Sequence, residues 1–437
     1  MIKRNMLSWV SIAVALASAV GIFFIPGFKI WFLAVLVLNV LFSIVAGFPH
    51  PRVAPSTPFG RHNRPGDGSH GPMQRVLLVC RILVGCLFIF SSFTKGVDPL
   101  GTKYKMLDYF AAYHIGWLDG AAMTLAVLMI LAEFLIGICL LTNICPKTAT
   151  VGGSLFMLLF TGVTFFDALF DMVPDCGCFG TAVKMTNWQT FYKNLVIDAV
   201  LLPLILNIRS LKGRPKLSTQ FVIGLAYALL FTCFELYNYR HLPVVDFMNW
   251  KVGRQMNAQT EEEQQIYVTY KNKATGAKQE YLSPNYPWND SVWMSQWDFV
   301  EQRVEGGNSY IGFTALDQDG DDVTEMILNT PKLLMFTSHD MGKITDKEWE
   351  KIKNITETAS TLDYEVIWVT ANTQEEMAEY KKTHPYIYDT YFCDELEIKT
   401  IVRFNPGLIW LDDGLVVDKW SAIDFPQGEK LNRLLRR

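Results

Sequence analysis

The residues best suited to chemistry are two cysteines one residue apart, in the run Asp171-Met-Val-Pro-Asp-Cys-Gly-Cys-Phe-Gly180. Gly177 between them and Gly180 after them permit tight backbone turning. A Cys176–Cys178 disulfide would close a very small ring, and strain makes such a bond easily reduced and hence oxidising. Three roles are open to the pair: electron transfer as a dithiol, a structural bridge, or half of a metal site. Zinc would need two further ligands, and no His or Cys stands at suitable spacing nearby, so no metal is expected.

Three ionisable residues fall inside long apolar runs, where charge is expensive and therefore informative: Arg81, Glu133 and Asp198. By the rise of a helix, Arg81 lies about 9 Å and Glu133 about 13 Å from the same membrane face. They are close enough in depth to pair, with Asp198 near enough to join them. Such a group would form a proton or quinone site, or an ion pair that fixes helix packing.

The elements that position these residues follow from composition. Of 437 residues, 50% are hydrophobic and 19% charged, below the roughly 25% charged of an ordinary soluble globule. Disordered, collagen-like and disulfide-dense secreted chains are thereby excluded. Residues 1–242 carry 19 Lys+Arg against 10 Asp+Glu, a net of +9, while residues 243–437 carry 20 against 33, a net of −13. Apolar runs of spanning length occur near 7–25, 29–47, 75–93, 121–141, 149–168, 190–208 and 219–238. The first has Lys3 and Arg4 ahead of it like a signal peptide, but the second follows at once, and the two read as an uncleaved hairpin.

Lys3, Arg4, Arg52, Arg61, Arg64, Arg75, Lys147, Arg209, Lys212, Arg214 and Lys216 all fall on one side of this arrangement, which is therefore cytoplasmic. Lys29, Lys95, Lys103, Lys105, Lys184 and Lys193 fall opposite. With seven spans, the cysteine loop and the acidic tail are expected on the outer side, where disulfides persist. The aromatic-rich stretch 94–120 reads as an interfacial amphipathic segment. Cys80, Cys86, Cys139 and Cys233 lie within predicted helices as small apolar residues.

The run Arg81-Ile-Leu-Val-Gly-Cys-Leu-Phe-Ile-Phe-Ser-Ser-Phe-Thr-Lys-Gly-Val-Asp-Pro-Leu-Gly101 resembles the opening helix of DoxX-type membrane proteins. Asp175-Cys-Gly-Cys-Phe-Gly180 resembles the cysteine loop of the MauE branch of that superfamily. The likeness covers about residues 75–208, a four-helix unit. It implies a membrane redox role: MauE proteins are associated with disulfide formation in an exported methylamine dehydrogenase subunit, and DoxX relatives with quinone-linked sulfur oxidation. Nothing in the chain points to methylamine itself.

In the soluble half, Ile266–Tyr270 and Lys278–Leu282 around a Gly-containing turn read as a hairpin. Lys332–Phe336 and Tyr364–Thr370 read as buried strands, Asp346–Ser360 and Thr373–Thr383 as helices, and Asp413-Gly414 as a hairpin turn. Pro406, just before a strand, is a candidate cis proline. Residues 310–437 resemble the thioredoxin fold of the TlpA and peroxiredoxin-like branch, in which a cis-proline loop faces a Cys-x-x-Cys at the start of a helix. Pro406 matches the proline, whereas Phe336-Thr-Ser-His-Asp-Met-Gly342 holds no cysteine, so that dithiol does not carry over. Cys393, just ahead of a predicted helix, is the thiol of this half; a helix N-terminus would lower its pKa and make it reactive, whereas a thiol without a partner is more often simply buried.

The expected organisation is a transmembrane hairpin and loop (1–74), a DoxX/MauE-like four-helix membrane domain (75–208), a seventh helix (209–242), an extracytoplasmic join (243–307) and a degenerate thioredoxin-like α/β domain (308–437). The expected function is thiol–disulfide exchange at Cys176 and Cys178, coupled to a bilayer quinone and acting on exported clients. The alternative is a non-catalytic envelope scaffold whose thioredoxin-like domain binds a partner. Lipid and an exported thiol partner are expected, and nucleic acid is not, since the soluble half is acidic. The bacterial cytoplasmic membrane, with the tail in the periplasm, suits this architecture.

Overall fold

A computed structural model of the chain describes residues 72–170, 172–173, 177–183, 185–213, 216–257, 265–282, 287, 291–305 and 313–436. The chain forms two compact units, Met1–Phe247 and Met248–Arg437. The first two predicted spans lie outside the described residues.

Five described segments are long and apolar enough to cross a membrane, matching the last five predicted runs to within a few residues. They contain α1 (Pro72–Gly96), α3 (Ala122–Thr142), α4 (Pro146–Phe170), α5 (Asn187–Leu206) and α6 (Leu217–Arg240). Between α1 and α3, the expected amphipathic segment forms α2 (Pro99–Ala112) and a 3-10 turn over Gly116–Ala121. Asp98 caps α2 by accepting from the Gly101 amide, and Pro99 opens the helix where no amide is needed. Thr186 and Gln189 close a capping box that starts α5.

Small residues set a close crossing of α1 and α3. A Cβ added at Gly137 would stand 3.0 Å from the Gly85 carbonyl oxygen, so α1 and α3 meet backbone to backbone there. Farther along, Phe134 of α3 stacks on Phe231 of α6 with centroids 4.0 Å apart, and Phe93 of α1 stacks on Phe234. These rings fill a core with Ile130, Ile138 and Leu230.

The second unit holds two sheets. The smaller one has order β2-β1-β3, built from β1 (Gln265–Asn272), β2 (Lys278–Leu282) and β3 (Trp297–Glu305), with the short helix α7 (Ser291–Gln296) leading into β3. The predicted hairpin is its first half. Trp293 stacks on Trp297 and meets Tyr270 and Tyr281 edge-on, a local aromatic core.

The larger sheet has order β6-β5-β4-β7-β8. After the short helix α8 (Thr324–Leu328) come β4 (Leu333–Ser338), α9 (Asp346–Ser360), β5 (Glu365–Thr370), α10 (Gln374–Thr383), β6 (Asp389–Phe392), α11 (Glu395–Ile401), β7 (Gly407–Asp412), β8 (Leu415–Ser421) and α12 (Gly428–Leu435). β4, β5 and β6 run parallel, while β7 and β8 are antiparallel around the Asp413-Gly414 turn. Phe336, Trp349 and Trp368 form the centre of its core. Part of the expected join belongs here: Met256 donates to the Gly414 carbonyl, Val416 donates to that of Arg254, and Trp250 is fully buried against Phe313. The result is a membrane helical bundle followed by an α/β domain.

Candidate functional site

The described half of the cysteine loop is a tight turn seated on the end of α1. Gly177 and Gly180 both take positive φ, 61° and 54°, and the Gly180 amide donates to the Gly177 carbonyl. A Cβ at Gly180 would press on the Thr94 carbonyl oxygen at 3.1 Å, so the turn rests directly on the α1 backbone. Phe179 packs against Phe90 of α1, and the Lys193 ammonium of α5 lies 4.7 Å from the Phe179 ring centroid. Cys176 lies outside the described residues.

Beneath the turn is a buried polar group. Ser91 Oγ stands 2.8 Å from the Cys178 carbonyl oxygen and 3.2 Å from Glu133 Oε1. One hydroxyl proton serves one acceptor at a time, and the shorter distance assigns it to Cys178. Lys95 Nζ donates to both oxygens of Glu133, at 2.8 and 2.9 Å. Lys95 and Glu133 are only 4% and 5% exposed. In lipid, charges of this kind persist only when paired. α1 brings Ser91 and Lys95 to one face at i and i+4, α3 brings Glu133 opposite, and the turn brings Cys178 down onto them.

The three predicted membrane ionisable residues do not meet. Arg81 donates through Nε and Nη2 to the Leu140 carbonyl, at 3.0 and 2.7 Å, satisfying an open acceptor in the last turn of α3. Glu133 pairs with Lys95, and Asp198 accepts from the Thr161 hydroxyl at 2.7 Å. The expected Arg81–Glu133 pairing rested on helix ends lying level. α1 instead starts at Pro72 and overhangs the end of α3, so Arg81 stands beside Leu140, seven residues from Glu133. Lys95 and Lys193, counted as loop cations, lie within membrane helices.

Sequence reading also passed over Glu235. Its side chain is fully buried in α6, and neither oxygen has a hydrogen-bond partner among the described residues. The available signal was a lone acid three residues before the end of the apolar run 219–238. Elsewhere the Tyr109 hydroxyl of α2 donates to buried Asp167 Oδ2 at 2.6 Å, tying α2 to α4.

In the α/β domain the Asn405–Pro406 peptide is cis and its loop faces the turn after β4. Asn405 Oδ1 accepts from the Ser338 hydroxyl and the amides of His339 and Asp340, while its Nδ2 donates to the Asp340 carbonyl. One amide side chain thus stitches the proline loop to the place where a thioredoxin would carry its dithiol. Burial, then the Lys399 ammonium, pushes the His339 imidazole down to about 4, and its Nδ1 has no partner among the described residues. The Lys343 hydrogen bond holds the Asp340 carboxyl below its ordinary range.

Cys393 is not activated. Asp394, rather than the thiol, occupies the N-terminus of α11, accepting from the amides of Leu396 and Glu397. Cys393 is 8% exposed and its thiol donates to Glu397 Oε2 at 3.4 Å. Burial first, then the Glu397 charge and hydrogen bond, push this thiol up to about 12. Of the two readings of Cys393 the structure agrees with the buried one and not with the reactive one: the helix end is taken by a carboxylate, and a second carboxylate faces the sulfur.

A helical membrane unit with a cysteine turn built onto a buried ion pair is thus followed in the chain by an α/β domain. Residues 73–208 match the family described as methylamine utilisation protein MauE. The chain is also similar to Protein TlpB of Flavobacterium psychrophilum, at 27% identity over 161 residues. That stretch is 36% of this chain and 43% of the relative, so the chain spans less than half the length of the relative it matches. No solved structure matches the chain.

Proposed function

We propose that the protein is a membrane thiol–disulfide redox protein in which Cys176 and Cys178 alternate between dithiol and disulfide. The observation that carries this reading is the support under Cys178: its carbonyl is held by Ser91, which stands against the buried Lys95–Glu133 pair. A loop that merely joined two helices would need no such group, whose burial is costly in a bilayer. Oxidation joins the two sulfurs and releases two electrons and two protons. A bilayer quinone, when bound, supplies the acceptor for both and leaves as the quinol.

The proposed location is a bacterial cytoplasmic membrane, with the cysteine loop facing the periplasm. Two spans, α5 and α6, follow the loop before the α/β domain begins, and an even number of crossings returns the chain to the loop's side. There the acidic domain would dock an exported client and present its thiols to Cys176 and Cys178. The sealed Cys393 and the cysteine-free turn after β4 favour docking over exchange by this domain itself.

The test is thiol trapping in intact cells with a membrane-impermeant maleimide. The expected result is a mixed dithiol and disulfide population at Cys176 and Cys178 that shifts when quinone is depleted, together with a mixed disulfide trapped by Cys176→Ser. A pair locked as disulfide under both conditions, with full function in the Cys176→Ser/Cys178→Ser double variant, would establish a scaffold instead.

A further inference from the structure

Glu235 has no part in the dithiol reading, and its surroundings restrict what it can be. On α6 it follows Tyr227 and Phe231 at four-residue steps, so it lies in the seam along which the helix packs. Aromatic rings close that seam. Phe231 stacks on Phe134 of α3 with centroids 4.0 Å apart, and Phe234 stacks on Phe93 of α1 at 5.8 Å. A Cβ added at Gly96 would stand 3.1 Å from Phe231 and 3.2 Å from Phe234, so α1 lies directly against these rings. Glu235 is 0% exposed, and neither carboxyl oxygen has a hydrogen-bond partner among the described residues.

The charged groups of the elements packed against α6 are committed elsewhere. On α1, Lys95 holds Glu133 of α3. On α2, Lys105 pairs with Asp108, Lys103 lies over the Tyr104 ring, and Asp98 caps the helix. The next polar residue of the seam, Asn238, donates to the Phe234 carbonyl and accepts from the Val244 amide. A carboxylate out of water persists only with a cation or several donors beside it, and Glu235 has neither among the described residues. A neutral carboxylic acid avoids the cost of a buried charge.

We propose that Glu235 is a proton-binding site of the membrane unit: a carboxylic acid that holds its proton while the α6 seam is closed and exchanges it with water when the seam opens. The ligand is the proton alone. Uptake joins it to one carboxyl oxygen, release returns it to water, and no electron moves. The site does not depend on the dithiol reading, and α6 lies beyond the stretch 73–208 that the family match covers.

The experiment is infrared spectroscopy of the full chain in phosphatidylcholine nanodiscs at pH 7. The samples are wild type, Glu235→Gln, Glu235→Asp, and wild type made with glutamate carrying carbon-13 at the side-chain carboxyl. Wild type should show the carbonyl band of a neutral carboxylic acid, at the high-frequency edge expected where that carbonyl accepts no hydrogen bond. The band should be lost in Glu235→Gln, kept in Glu235→Asp and moved to lower frequency by the carbon-13 label. In heavy water it should shift slowly, on the timescale of the α6 amides rather than that of the exposed loops. Loss of a carboxylate band in Glu235→Gln, with no neutral-acid band lost, would overturn the assignment. A neutral-acid band that labelled glutamate leaves unmoved would do the same, and this arm needs no substituted chain to fold. An immediate shift in heavy water would show Glu235 already open to water in the resting fold and overturn the closed site. Disappearance of the band when sodium replaces choline in the buffer would make it a cation site instead.

Discussion

Lys95 and Glu133 face each other between α1 and α3, with the ammonium 2.8 Å from one carboxylate oxygen and 2.9 Å from the other. The pair lies at the point where the cysteine turn comes down onto the bundle, because Ser91, one turn before Lys95, reaches both Glu133 and the Cys178 carbonyl. A charge pair in the membrane and a cysteine turn at its edge are therefore one connected polar structure.

Breaking the pair from one side should cost much more than removing it. Lys95→Met leaves Glu133 buried without its cation, at about 3–5 kcal/mol. The double variant Lys95→Met/Glu133→Leu should recover most of this loss. Thermal unfolding in detergent reads the difference, and additive losses in the double variant would show that the two charges are not coupled.

Ser91→Ala should free the turn without unfolding the bundle. The Cys178 carbonyl loses the Ser91 hydrogen bond, an effect of about 0.5–1.5 kcal/mol. Faster amide hydrogen exchange over Phe179–Ala182, with exchange in α3 unchanged, is the expected signature. Wild-type exchange rates in that turn would show that Ser91 does not hold it.

Cys393 should resist alkylation in the folded protein at pH 8 and react once the domain is unfolded, since its thiol is pushed up to about 12. Glu397→Gln removes the charge and hydrogen bond that add to the effect of burial, so labelling should quicken but stay slower than in the unfolded chain. Rapid labelling of the native wild-type thiol would contradict this geometry.

His339 should make stability depend on pH. The His339 imidazole is pushed down to about 4 in the folded chain from an ordinary 6.5, so between those values the unfolded chain binds the extra proton. Stability contributed by the neutral imidazole is complete above pH 6.5, falls as the pH drops toward 4, and levels off below. Chemical denaturation of wild type and His339→Phe across that window measures it; the variant should show a shallower fall, and parallel curves would refute the assignment.

Much of the architecture was legible because it depends on local rules. Five apolar runs became the five described spans, since their length and hydropathy are properties of each segment alone. Lys332–Phe336 and Tyr364–Thr370 became neighbouring parallel strands, and Asp413-Gly414 became the turn between β7 and β8. Edge strand β6, only Asp389–Phe392, carries too short a pattern to stand out.

Partners across space were decided only by the tertiary structure. Glu133 was visible as a buried acid, but its partner proved to be Lys95 rather than Arg81, because the axial offset and rotation of α1 against α3 come from the close crossing at Gly85 and Gly137. Hydropathy along one helix contains neither quantity. Cys393 likewise stood at a helix start in the sequence, yet the charge it meets is Glu397, one turn on and turned back toward the sulfur. Residue type and spacing determined that this chain carries a cysteine turn, membrane helices and an α/β domain. Which polar groups meet was settled by packing, since a few ångströms of offset exchange one buried partner for another.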